Sequence, residues 1–223
     1  MMPTMKDYKV IAIDGPAASG KGTLARRLAA ALNYAYLDTG ALYRAVALRV
    51  LTQNQDPHIE DNAHKAALSF AGTLTPQDLQ DPALRTDKVG QSASIVAKFP
   101  NVRTALLQFQ KEFAQNPPAG FEGVVMDGRD IGTVICPDAP IKLFVTASLE
   151  ARSKRRFLEL TSKGIDTTLD AVIQDMIQRD ARDSGRDTAP LKPANDAHIL
   201  DTSDMDAEEA MDAALSIAKK SIK

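Results

Sequence analysis

The sequence predicts an α/β fold, with about five short parallel strands in one sheet and helices on both faces. Three observations lead there. The apolar run Val10-Ile11-Ala12-Ile13 enters a glycine-rich loop, Gly15 to Thr23, which opens onto helical patterning over 24–32. The same order of strand, polar tip and helix returns over 34–44. The later apolar runs are also separated by helical stretches, and right-handed crossovers of that kind build a parallel sheet. At 223 residues the chain suits one substantial core with insertions and is short for two catalytic domains.

The loop reads Gly15, Pro16, Ala17, Ala18, Ser19, Gly20, Lys21, Gly22, Thr23. Its glycines let successive N–H groups turn toward one anion, the helix behind it adds a positive dipole end, and Lys21 extends toward the outer phosphates. All nine residues are therefore expected to hold a nucleoside triphosphate. Gly22 stands where this motif has a hydroxyl, which arrives one place later at Thr23. That weakens Thr23 as a direct Mg²⁺ ligand and leaves the metal ligands unassigned.

Residues 34–37 form the next expected strand, ending in Asp38-Thr39-Gly40 before a helix from Ala41. Ligands collect at the carboxyl ends of such strands, which puts Thr39 and Arg44 near the triphosphate. Residues 56–90 carry turn signals at Asp56-Pro57, Thr75-Pro76 and Asp81-Pro82 around one helical stretch, 61–71, with little strand alternation. The segment is expected to be a helical, loop-rich insertion lying over the core. Helices follow over 91–97 and from Pro100, the latter with the stripe Val102, Ala105, Leu106, Phe109 and Phe113. Asn116 to Gly120 ends it.

Strands are expected at 123–126, leading into Asp127-Gly128-Arg129-Asp130-Ile131-Gly132-Thr133, at 140–146 and at 197–200. Between the last two lie helices over 149–160 and 168–184, joined by the polar link 161–167. A hinged pair of this kind suits a lid. The final helix, 206–219, shows a plain apolar stripe of structural character.

Composition narrows the function classes. With 44% hydrophobic and 25% charged residues the chain is an ordinary globular protein, and a net charge of −2 supplies no general basic field for nucleic acid. Aromatic content of 5% argues the same way. The single Cys136 excludes an intrachain disulfide, and His58, His64 and His198 are too scattered for a metal site. No run of about 18 apolar residues and no N-terminal apolar leader is present, so a cytoplasmic protein without a membrane partner is expected.

Phosphoryl transfer asks a protein mainly for position and positive charge, and the planar fork of arginine suits phosphate. On the helix over 168–184, Leu169, Val172, Ile173, Met176 and Ile177 define an inward face, and at about 100° per residue Arg179, Asp183 and Arg186 fall on its flank. A salt-bridged helix end explains such charges in isolation. The second charged turn, Asp127 to Asp130, at the tip of a strand near the same cleft, favours a functional role. Of Arg152, Lys154, Arg155 and Arg156, at least one belongs to a solvated helix face; the rest suit a lid that excludes water from the donor.

Six stretches carry a resemblance: Ile13-Asp14-Gly15-Pro16 through Lys21-Gly22-Thr23, Leu37 to Arg44, Phe99-Pro100-Asn101-Val102-Arg103, Asp127 to Thr133, Pro137-Asp138-Ala139-Pro140, and Arg179-Asp180-Ala181-Arg182-Asp183. Together they make the chain resemble the bacterial cytidylate kinases, of the nucleoside monophosphate kinase family. The resemblance implies a P-loop kinase fold: a core over 6–55, 121–150 and 190–223, a monophosphate-binding region near 56–120, and a helical lid near 151–189. It implies ATP-dependent phosphorylation of CMP and dCMP to CDP and dCDP with Mg²⁺, within pyrimidine nucleotide metabolism. Lys21, Arg129, Arg152 and Arg156 are expected to act on the moving phosphoryl group. Arg44 and Arg129 would hold the acceptor phosphate, Arg179 and Asp183 would lie near its ribose and phosphate, and Ser94, Arg103, Asp130 and Arg186 would face the cytosine. A monomer is expected.

Cytosine itself supports the last group, since an amino donor beside ring-nitrogen and carbonyl acceptors asks for one carboxylate with cationic donors next to it. Long members of the family carry a β-rich insertion where this chain has the shorter 56–90. A kinase of a different nucleotide or of a small sugar acid is the nearest alternative, and the inner arginines fit a phosphorylated acceptor better than a neutral one. A P-loop switch is disfavoured because no Asn-Lys-x-Asp sequence is present to read guanine.

Overall fold

The computed structural model describes residues 9–70, 73–75 and 78–221. Residues 6–8 of the expected core, the expected helix end at Ala71, the proline of Thr75-Pro76 and residues 222–223 lie outside the described residues. Five strands, β1 (Lys9–Asp14), β2 (Ala35–Asp38), β3 (Gly123–Gly128), β4 (Ile141–Thr146) and β5 (His198–Asp201), form one parallel sheet in the order β2-β3-β1-β4-β5. The helices are α1 (Lys21–Leu32), α2 (Thr39–Thr52), α3 (Glu60–Leu68), α4 (Asp87–Val96), α5 (Pro100–Gln115), α6 (Leu149–Ser162), α7 (Leu169–Ser184) and α8 (Ala207–Ser221).

β1 is apolar on both faces because both are covered, the rule for a central parallel strand. Ile11 and Ile13 meet Leu24 and Leu28 of α1 and Met211 and Ala214 of α8. Val10 and Ala12 meet Leu37, Met126 and Ala114 on the opposite side. α1 stops where Asn33 turns left-handed at φ 53°, its N–H bonding the carbonyls of Ala29 and Ala30.

Two helices begin earlier than their apolar periodicity indicates. α2 starts at Thr39 because the Asp38 carboxylate accepts the Ala41 N–H at 3.2 Å and caps it. α4 starts at Asp87 rather than Gln91; its polar opening, with Asp87 favourably placed against the dipole, carries no apolar repeat to read.

The insertion contains α3 and two 3₁₀ turns, Asp78–Gln80 and Pro82–Arg85, with no strand among its described residues. It does not simply cover the sheet. Ala63, Ala66 and Ala67 of α3 join Val46, Val50, Val96, Val102 and Leu106 in a second, all-helical core. The hairpin of α6 and α7 buries Leu160, Val172 and Met176 against Ala17 of the glycine-rich loop. Leu169 and Ile177 stay exposed, contrary to the broad inward face expected for this helix, since a two-helix hairpin covers only a narrow stripe. Among the described residues no helix is long and apolar enough to cross a membrane.

Register places Asp14 of β1 opposite Gly128 of β3, and Asp38 of β2 opposite Asp127 of β3. The carboxyl ends of these strands thus converge on one cleft, where ligands bind in open α/β sheets.

Candidate active site

The loop after β1 is held open by its backbone. Gly15 passes so close to β4 that a Cβ would stand 2.0 Å from the Val145 carbonyl oxygen. Ala18 at φ 57° and Gly20 at φ 84° then turn the chain left-handed into α1, whose first turn no side chain caps. Uncapped N–H groups at a helix start are anion donors. Lys21 Nζ finds only the Pro16 carbonyl, at 3.4 Å, and burial, with Arg129 nearby, lowers its pKa.

Thr23 lines a separate cavity of about 180 Å³ with Ser19, Gly20, Arg155 and Thr202, not the cleft that Lys21 lines. Gly22 lets the loop approach β3, for a Cβ there would lie 3.1 Å from an Asp127 carboxylate oxygen.

The main cleft, about 340 Å³, brings together Ala17, Ala18, Lys21 and Gly22 of the loop with Thr39, Arg44, Ser94, Arg103, Arg129, Asp130, Arg156, Arg179, Asp183 and Arg186. Every expected acceptor residue is in it. Thr39 donates to the Asp127 carbonyl at 2.8 Å, a close approach that a Cβ on Gly128 would block at 2.5 Å from the Thr39 hydroxyl. Asp38 holds Arg44, and Asp130 holds Arg103, whose guanidinium lies 5.5 Å from the centre of the Tyr43 ring.

Asp183 ties two cations together, accepting Arg129 Nε at 2.7 Å and pairing with Arg186. Burial alone would raise its pKa, but Arg129, Arg186 and Arg179 hold it at about 2. Arg179 is different. It forms no ion pair, its Nε is buried without a partner, and burial, reinforced by repulsion from Arg129, lowers its pKa to about 10. The cleft wall carries seven Lys and Arg side chains against five Asp and Glu, and the surplus is what an anion would neutralise.

The expected lid cations divide. Arg156 reaches the cleft while bonding Asp87 of α4 at 2.6 Å and Glu159 at 2.8 Å. Arg152 lines neither cavity: Asp180 of α7 takes its fork at 3.1 and 2.7 Å, and its remaining bonds go to the carbonyls of Ala147 and Ala17. Arg155 is tied to the Thr202 carbonyl at 2.5 Å, and Lys154 is exposed.

Comparison with known proteins decides the family. The cytidylate kinase family model matches residues 11–220. The chain belongs to the cytidylate kinase family. It is thereby an enzyme of the kinase class. A cytidylate kinase of Rhodospirillum rubrum is 58% identical over 208 residues, covering 93% of this chain and 96% of that one. One of Paramagnetospirillum magneticum is 55% identical with the same coverage. A solved structure from Eubacterium ventriosum, of an uncharacterized protein, shares the fold at a TM-score of 0.53 and 16% identity, covering 94% of this chain and 98% of that one.

In this cytidylate kinase family member Asp38 and Asp127 line the cleft and Asp14 lies buried behind it, with no specific role for any of the three expected from sequence. Their common signal is position at the last residue, or next to last, of a strand. Burial, with Asp38 beside it, raises the Asp127 pKa. Asp14 is also buried, and its two oxygens accept the N–H groups of Ile131 and Gly132, each at 2.8 Å. These open the single π turn Ile131–Ile135, directly after Arg129 and Asp130.

Burial lifts the Asp14 pKa from 3.8 to about 6, against the opposing pull of those two N–H groups. A raised folded pKa means that the fold favours the neutral carboxyl. Its contribution to stability is full below the unfolded pKa and is lost as pH rises through about 6, a change of about 3 kcal/mol. Urea denaturation at about pH 4.5 and about pH 7.5 should show that part of the slope disappearing in Asp14→Asn. An unchanged slope would place the titration elsewhere.

Proposed function

We propose that the chain transfers the terminal phosphoryl group of ATP to CMP and dCMP, giving CDP and dCDP. The observation that carries this reading is the pair of half-buried cations that form no ion pair among the described residues, Lys21 and Arg179, in one cleft with the locked Arg103–Asp130 pair. The first two suit phosphates at both ends of a transfer, and the last suits a cytosine edge.

In this assignment residues 56–120 receive the acceptor, 151–189 form the lid, and the remainder is the core. The loop over 15–23 cradles the donor phosphates, with the base toward the smaller cavity beside Thr202. Arg44 and Arg129 fix the acceptor phosphate in line, and Arg179 and Asp183 hold its sugar side. Lys21 and Arg156 spread the charge of the moving group. Arg152 joins them only on leaving Asp180; otherwise it braces the loop through Ala17. No protein base is required, because a phosphate dianion is already a nucleophile.

Mg²⁺ fits the donor set. Asp38 and Asp127, register partners at the strand tips, offer carboxylate oxygens. Among the described residues no cluster of three or more His, Cys, Asp or Glu is present, so the ion would be shared with substrate phosphates and water. Bound there, it would neutralise charge on the phosphate oxygens. The reading includes a monomer, and buried Cys136 is compatible with a reducing cytoplasm.

An ADP-release assay with MgATP tests the reading, comparing CMP, dCMP, UMP, AMP and no acceptor. CMP and dCMP should exceed UMP by at least about tenfold, since uracil turns a carbonyl toward the Asp130 carboxylate. Equal turnover of UMP would remove Asp130 and Arg103 as base readers. ADP release without acceptor would make the chain a nucleoside triphosphatase instead.

A further inference from the structure

Arg182 and Ser94 lie 88 residues apart, on α7 of the lid and α4 of the acceptor region, and they touch. Ser94 is 4% exposed and lines the cleft with Arg103 and Asp130. Its hydroxyl donates to the Gln91 carbonyl at 3.1 Å. Arg182 Nε lies 3.1 Å from the same oxygen, and its Nη2 lies 3.4 Å from Gln91 Oε1, so both parts of the fork face one turn of α4.

A guanidinium N–H only donates. The serine proton is therefore committed to Gln91 and one lone pair to Arg182. What Ser94 has left to offer the cleft is a single acceptor.

We propose that Arg182 is a positioning residue for base selection, fixing Ser94 as an acceptor for the exocyclic amino group of the acceptor base. This rests on the cytosine reading above and adds a group to it. Without Arg182 the hydroxyl is held by the Gln91 carbonyl alone and turns more easily to donate to a uracil carbonyl. Asp130 would then discriminate alone. The contact also crosses from lid to acceptor region, so Ser94 is set in this way only while α7 lies against α4.

The test is steady-state kinetics with CMP and UMP on the full chain and on Arg182→Met, Arg182→Lys, Ser94→Ala and the Ser94→Ala/Arg182→Met double variant. Arg182→Met should lower the CMP-to-UMP ratio of kcat/KM about three- to tenfold, leaving the KM for ATP unchanged. Ser94→Ala should do the same, and Arg182→Met should add nothing in the Ser94→Ala background, the signature of action through one partner. Arg182→Lys keeps the charge at the end of α7 but not the planar fork, so it should lose the ratio too, and it stands in if the methionine variant fails to fold.

An unchanged ratio in a folded Arg182 variant, with a selective parent, overturns the proposal alone. An equal loss in the Ser94→Ala background overturns the route through Ser94. A parent that uses CMP and UMP alike overturns the cytosine reading and this proposal with it.

Discussion

Arg129→Ala is expected to lower turnover of CMP by about 10²–10³-fold, the usual effect of removing one preorganised donor from a developing charge. Arg129 is held from behind: its Nε is bound to Asp183 at 2.7 Å and its Nη1 to the Gly128 carbonyl at 3.1 Å, leaving Nη2 for the cleft. Such a guanidinium needs no reorganisation when an acceptor arrives, which is why its loss should fall on kcat as well as on the KM for CMP. The fold should survive, because Asp183 keeps Arg186 as a partner and is not left as an unpaired buried charge. Circular dichroism and separate KM values for CMP and ATP would check this. Near-normal kcat would remove Arg129 from the reaction.

Lys21→Met should cost about 10³-fold or more in turnover in the proposed reaction, since it removes the one cation of the 15–23 loop, which lines the cleft. Its second effect has the opposite sign. Burial and Arg129 push the Lys21 pKa down, which means the charged form is disfavoured by its surroundings. An apolar side chain of similar length removes that penalty, so the nucleotide-free variant should unfold at higher denaturant than the parent. Added ATP should then stabilise the parent more than the variant. A variant that is both inactive and less stable would mean that Lys21 holds the loop together rather than waiting for phosphate.

Much of this site is contiguous in sequence and was legible for that reason. The loop over 15–23 declares itself because strand, glycines, lysine and helix are neighbours, and the flank Arg179 and Asp183 follows from helical geometry, whereas Arg186 lies past the end of α7 and is placed by its pairing with Asp183. What escaped depends on partners chosen in space. Nothing local distinguishes Arg152, which α7 captures through Asp180, from Arg156, four residues on, which reaches the cleft. Thr23 belongs to the loop motif, yet the turn of α1 sets it on the other cavity. Leu169 and Ile177 share a stripe with Val172 and Met176, but the hairpin is too narrow to cover them. The helical insertion was recognisable from its missing alternation, while its separate core with α2, α4 and α5 was not, because a core is a property of several helices together.

Asp14 ends the strand that launches the donor loop, and its carboxylate grips the turn that presents Arg129 and Asp130. In the proposed reaction both substrates would thus be surveyed from one origin. The gap between leaving and attacking oxygens would then be set by a short path through the centre of the sheet, not by summing displacements along the hairpin and the helical insertion.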